Sequence, residues 1–271
     1  MTDRGPGPGH VAAVVLAGAV AGIAGGLFGV GGGIVLIPIL TGAFRLTQHQ
    51  AHGTSLAAIG ATAIASLFVY GAHSNVAWGT AGLVAIASVF TARYGARLAV
   101  RTSARSLRRA FAVFLVLVAL RLLWKTPSGA GLHFGSAPLA VGFDLVLGGT
   151  LGMLAGFMGV GGGIIAVPAF ALVLGMAQPL AQGTSLAVIL VTAPAGAFEH
   201  HRHGNVVLRL VPWLALGAAA GGPLASSLAH RLPQPLLARG FAVLLLASAV
   251  QLWLGPGTGQ KAQPDLEAKP G

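Results

Sequence analysis

Gly29-Val30-Gly31-Gly32-Gly33-Ile34, followed by Pro38, lies inside an apolar run from Val11 to Leu40. Each glycine costs a helix roughly 1 kcal/mol against alanine, so three in succession should break it. As one straight helix the run would be about 45 Å long at ~1.5 Å per residue, against a hydrocarbon core ~30 Å thick. It is therefore either one steeply tilted, broken helix or two segments that meet inside the membrane. Backbone broken at membrane depth persists only where protein or a polar cavity satisfies its amide groups. That makes the glycines candidates for a site. Their competing role is to let neighbouring helices approach closely.

The stretch returns as Gly159-Val160-Gly161-Gly162-Gly163-Ile164, followed by Pro168, at an offset of 130. The same offset carries Gly53-Thr54-Ser55 onto Gly183-Thr184-Ser185, Thr62 onto Thr192, His73 onto His203, Asn75-Val76 onto Asn205-Val206, and Arg101 onto Arg231. Interrupted apolar segments at matching positions of two halves are the strongest sequence pointer to a transporter binding site. The fold expected is an all-α polytopic membrane protein of two homologous halves, with roughly 8–10 transmembrane segments and glycine-broken helices. Helical segments are predicted over 11–28, 32–44, 53–71, 77–98 and 107–124, and over 138–157, 162–175, 183–199, 207–228 and 237–254. The division that follows is an N-terminal tail 1–10, a first membrane repeat 11–125, a connector 126–137, a second repeat 138–254 and a disordered tail 255–271.

Composition agrees with a membrane unit. Of 271 residues 55% are hydrophobic and 8% charged, with mean hydropathy +0.83; a soluble domain would carry about a quarter charged residues. The net charge of +11 does not point to nucleic acid, because the arginines concentrate in short gaps between apolar runs, as the positive-inside rule expects. Cysteine is absent, which excludes disulfides, Fe–S clusters, haem attachment and Cys-zinc sites. No cofactor or metal is expected. The first apolar segment is too long for a signal peptide and is read as an uncleaved helix.

Charge also bears on topology. If each glycine break is a hairpin, each half crosses five times. Arg4, Arg45, the cluster from Arg93 to Arg109, Arg202, Arg209, Lys261 and Lys269 then share one side, twelve basic residues against four. If each broken pair crosses once, the split is nine to seven. The first arrangement gives inverted halves with both termini cytoplasmic; the second is the simpler hydropathy pattern.

The candidate substrate-binding residues are Gly31, Gly32, Gly33, Thr54, Ser55, Gly161, Gly162, Gly163, Thr184 and Ser185. The spacing places Gly53-Thr54-Ser55 and Gly183-Thr184-Ser185 at helix starts, where Thr and Ser are good N-caps and free amides attract anions. The alternative is that the hydroxyls only cap or bond a neighbouring helix. Asp144 and His52 are the candidates for a proton relay; an interface anchor and a solvated loop histidine are their plainer roles. Glu199 reads as an edge charge paired with Arg202 or a histidine. Gly-x-Gly-Gly-Gly is not a dinucleotide fingerprint, since no strand precedes it. No nucleophile–base triad stands at recognisable spacing, so an enzyme is not expected.

On these residues the chain resembles the TauE/SafE-type sulfite exporter family, the TSUP transporters. The resemblance rests on Gly26-Leu27-Phe28-Gly29-Val30-Gly31-Gly32-Gly33 with Pro38 and Gly53-Thr54-Ser55, and on Ala155-Gly156-Phe157-Met158-Gly159-Val160-Gly161-Gly162-Gly163 with Pro168 and Gly183-Thr184-Ser185. It implies an inner-membrane permease that exports small sulfur-containing anions such as sulfite or sulfonates, coupled to the proton gradient. Its partners would be a small anionic substrate, coupling protons and the lipid bilayer. The rival is a polytopic membrane enzyme or scaffold whose glycine motifs serve helix packing only.

Overall fold

The computed structural model describes residues 8–101, 104–124, 136–158 and 162–254. Among them the chain forms ten helices: α1 (Pro8–Phe28), α2 (Gly33–Gly42), α3 (Gln48–Ala72), α4 (Trp78–Arg101), α5 (Ala104–Trp124), α6 (Ala137–Met158), α7 (Gly163–Leu172), α8 (Gln178–Arg202), α9 (Val211–Arg231) and α10 (Gln234–Leu254). Five are long and apolar enough to cross a membrane, within α1, α3, α6, α8 and α10. Large apolar side chains such as Leu16, Phe68, Phe90, Val146 and Leu224 stand exposed, a surface that lipid covers in an integral membrane protein. Most of the connector and the whole tail from 255 lie outside the described residues.

At the first break Gly29, Gly31 and Gly32 take φ of +71°, +74° and +87°, a left-handed conformation that glycine adopts without a Cβ clash. The chain thereby reverses. Gly31 comes back against Gly25, and Gly32 against the carbonyl of Ala21. His10 at the start of α1 meets Phe44 just past α2, ring centroids 5.5 Å apart. So α2 returns to the side on which α1 began, and the break is a hairpin.

The two halves exchange helices. Gly18, Gly22 and Gly26 of α1 lie against Leu214, Ala218 and Gly222 of α9, so α1 and α9 run parallel. Gly148 and Gly152 of α6 lie against Val84 and Ser88 of α4 in the same sense. An offset of 130 converts one seam into the other. Glycine every fourth residue lets the backbones approach to contact, which dispersion alone then rewards in lipid. α3 and α8 instead run antiparallel. Gly53, near the start of α3, meets Asn205 beyond the end of α8, and Gly183, near the start of α8, meets Asn75 beyond the end of α3. Equivalent helices that run in opposite directions make the repeats inverted.

One expectation fails here. Gly53-Thr54-Ser55 and Gly183-Thr184-Ser185 do not start helices. α3 begins five residues earlier, at Gln48, and α8 at Gln178. Thr47 caps α3, its hydroxyl accepting from Gln50 N at 3.3 Å while Gln50 Oε1 accepts from Thr47 N at 3.2 Å. The polar run Gln48–His52, which looks like a loop, is the first helical turn held by this capping box. The threonines bond the other half instead. Thr54 Oγ1 accepts from Val207 N at 3.0 Å, and Thr184 Oγ1 accepts from Ala77 N at 3.0 Å. Each half thus ties down the loop of its counterpart.

Cysteines introduced at Gln48 and Pro233 are expected to react with a membrane-impermeant maleimide from opposite sides of the membrane. Labelling from the same side would mean that each broken pair crosses once. Thr54→Val or Thr184→Val keeps the side-chain shape and strands one backbone N–H of the other half, a loss of ~1–3 kcal/mol. Melting in detergent should show this loss for both, and little change for Thr150→Val, whose exposed hydroxyl bonds only Val146 O of its own helix.

Candidate functional site

The two breaks converge halfway along α3 and α8. Gly31 packs on Ile59 of α3 and Ile189 of α8. Gly163, at the second break, packs on the same Ile189 and on the backbone of Val30. Gly163 thus leans on the first break, and both Gly31 and Gly163 lean on the central antiparallel pair. The first is sealed by backbone, since a Cβ on Gly29 or Gly32 would overlap Gln182 or Ala21. Gly162, at the second, is looser: it has φ −64°, an ordinary helical value, and among the described residues a Cβ there would meet only Ala155 Cβ, at 3.9 Å.

That looseness belongs to a cavity of about 700 Å³ bounded by α3, α4, α6, α7 and α8. Its inner end is formed by Val30, Ile59, Gly162, Gly163 and Ile189. Its outer end reaches Arg93, Glu199, His200 and Arg202, where α8 finishes. Arg93, Glu199 and Arg202 are exposed, so the cavity leads from the breaks to the surface on the side that carries Arg45, Arg202 and Arg209. The walls between are mostly apolar. Ser88 and Thr192 also line the cavity, their hydroxyls donating to Gly148 O at 2.9 Å and Val188 O at 3.1 Å. A volume in the usual range for small-ligand pockets, apolar with a few convergent polar groups, is a binding compartment in form. Two guanidinium groups at its mouth favour an anion, and the first turn of α7, opening at Gly162–Gly163, adds the partial positive charge of a helix N-terminus.

The residues singled out from sequence do not gather in one place. Gly162 and Gly163 line the cavity, and Val30 does so beside Gly31. Gly31, Gly32 and Gly33 form the adjoining hairpin without lining it, and Gly161 lies outside the described residues. Thr54, Ser55, Thr184 and Ser185 are fully or almost fully buried and none of them lines the cavity. Asp144 is 8% exposed and bonds Thr80 near the start of α4, away from the mouth. His52 lies one turn into α3 with Nε2 3.2 Å from Gln48 Nε2. Glu199 pairs with a histidine, His203 Nδ1 standing 3.8 Å from Glu199 Oε1.

Arg93, Arg202, His200 and Ser88 enter the site without having been singled out for it. The arginines carried a topological signal, and nothing in their spacing tells that α4 and α8 part around a cavity just there.

The family model described as "Sulfite exporter TauE/SafE" matches residues 2–122 and 139–270, one match per half. The chain is 27% identical over 267 residues to the probable membrane transporter protein YunE of Bacillus subtilis, covering 88% of this chain and 96% of that one. It is 29% identical to a probable membrane transporter protein of Xylella fastidiosa strain 9a5c, covering 86% and 91%. With one from Haemophilus influenzae it shares 26% identity over 89% and 97% of the two chains. No solved structure gives a significant match. With nearly its whole length matched, in two halves that the fold shows to be inverted copies, this integral membrane protein belongs to the TauE/SafE sulfite exporter family.

Proposed function

We propose that the protein is a secondary transporter that exports small sulfur-containing anions, such as sulfite or organosulfonates, across the bacterial inner membrane, coupled to the proton gradient. The observation that carries this reading is the cavity itself. It joins the glycine breaks to a mouth with two arginines, and it is ample for an anion of this class together with a few waters. The arginine-rich side is cytoplasmic by the positive-inside rule. The termini are then cytoplasmic as well, and the cavity faces the compartment from which an exporter loads.

The inner donors on this reading are the backbone amides of the first turn of α7 at Gly162 and Gly163. Arg93 and Arg202 gather the anion at the mouth without burying a fixed positive charge that would hold it too tightly for release. His52 and Asp144 lie toward opposite ends of the bundle, so a relay would use them at separate stages. The packing-only alternative accounts for the α1–α9 and α4–α6 glycine seams, but gives no role to Gly162, which has no tight neighbour among the described residues.

A proteoliposome flux assay with sulfite, taurine and sulfoacetate, with and without a pH gradient, tests the assignment; no flux of any of them would end it. Gly162→Ala is expected to retain flux and Gly162→Leu, whose side chain would intrude on the cavity, to lower it at least tenfold with an unchanged gel-filtration profile. Gly32→Leu is not an equivalent test, because any side chain at φ +87° beside Ala21 O disturbs the hairpin itself. Replacing Arg93 and Arg202 together with Gln should raise the KM for the anion several-fold and flatten its dependence on ionic strength.

A further inference from the structure

The sequence is duplicated, but its two halves are not in the same state. The 130 offset carries cavity-lining Thr192, Gly196, His200 and Ala92 onto Thr62, Ser66, Tyr70 and Gly222. Around the first set α4 and α8 are parted by the cavity. Around the second set the equivalent helices, α9 and α3, pack together far more extensively. A Cβ on Gly222 would come within 2.6 Å of Ser66 Oγ.

Tyr70 fills the place that corresponds to the mouth. It is 0% exposed. Its hydroxyl lies 2.9 Å from Gly26 O and 3.0 Å from Gln182 Oε1. Ser226 Oγ also reaches Gly26 O, at 3.2 Å. Toward the surface His230 packs on the Tyr70 ring at 4.7 Å, and His73 stacks on His230 at 4.1 Å. Inside this plug, polar groups are stranded. The hydroxyls of Thr62 and Ser66 are wholly buried with no hydrogen-bond partner among the described residues. Gln182 uses one end of its carboxamide on Tyr70, and the other end has no partner among the described residues. Buried polar groups are nearly always bonded, and each one left unbonded is costly. Three in one column, at positions equivalent to a cavity wall or facing it, are explained if they line a compartment that is shut in this conformation.

We propose that the column Thr62–Ser66–Gln182 is the exit half of the substrate path, a neutral hydrogen-bonding site for the same small oxyanion, and that Tyr70 is its gate. This rests on the transporter reading above. In the conformation described, the basic side is open and the Tyr70 side is latched to Gly26 and Gln182. When the halves exchange states, α3 and α9 part, Tyr70 releases Gly26, and the stranded groups meet the anion as the first cavity closes. Hydroxyl and carboxamide donors bind an oxyanion without a counter-charge, which suits release.

Because the chain has no cysteine, single cysteines can be placed without altering the background. Ser66→Cys is tested in proteoliposomes with an anionic methanethiosulfonate applied from the Tyr70 side, with Thr192→Cys as the cavity position. With Tyr70 present, Ser66→Cys should react slowly from that side and Thr192→Cys rapidly from the other. Tyr70→Phe keeps the ring and removes only the latch, and should speed the Ser66→Cys reaction at least tenfold while slowing Thr192→Cys. Ser66→Cys that stays unreactive in both Tyr70→Phe and Tyr70→Ala, each verified as folded by gel filtration, overturns the gate. Flux of sulfur anions by the unmodified chain is measured alongside. Flux with an unreactive Ser66→Cys removes the gate and leaves the transporter. Switching accessibility without flux supports the gate and removes the substrate assignment.

Discussion

A polypeptide interrupted inside lipid has to give its freed amides to other protein groups, and that constraint shapes this molecule. Both glycine breaks turn inward to the same place, halfway along α3 and α8, where Ile59 and Ile189 receive them. A hairpin leaves each half with a first helix unable to cover its own inner face. The other half supplies the cover: α9 lies along α1 and α4 along α6, backbone to backbone through glycine. Neither half is complete alone. The threonine bonds at Val207 and Ala77 close the same exchange at the two ends of the central pair.

Inverted duplication puts equivalent residues toward the two ends of the molecule, and their surroundings differ. His200 and Gly196 border an open compartment, whereas Tyr70 and Ser66 occupy a closed one. Tyrosine is longer than histidine and ends in a hydroxyl, so it can span from α3 to the carbonyl of Gly26 and join α3 to α1 and α8 at one point. Beside the open compartment Gly162 is helical, whereas Gly32 at the matching position is left-handed. The two copies thus differ in side chains, in backbone and in packing at equivalent positions.

Charge is arranged along the same axis. Arg45, Arg93, Arg202 and Arg209 gather where the open compartment ends, with Glu199 among them, while the other end carries Tyr70, His73 and His230 with fewer basic residues, Arg231 and Arg239 among them. A cationic mouth over an apolar wall concentrates anions by long-range attraction yet leaves the interior without a permanent counter-ion. A ligand that must be handed on needs that balance between attraction and release.

Much of this was legible in the chain before its fold. Apolar runs, the 130 offset and the doubled glycine-proline stretch determine an all-helical membrane protein of two related halves, because lipid admits little else and duplication leaves its register in the residues. Basic residues also favoured the hairpin. Sequence misplaced the Gly-Thr-Ser motifs, since a polar first turn capped by Thr47 looks like a loop, and it could not tell that their threonines serve the opposite half. It gave no sign of which copy is open. That depends on whether α3 meets α9 more closely than α8 meets α4, a matter of distances between segments remote in sequence, and only the tertiary structure decided it.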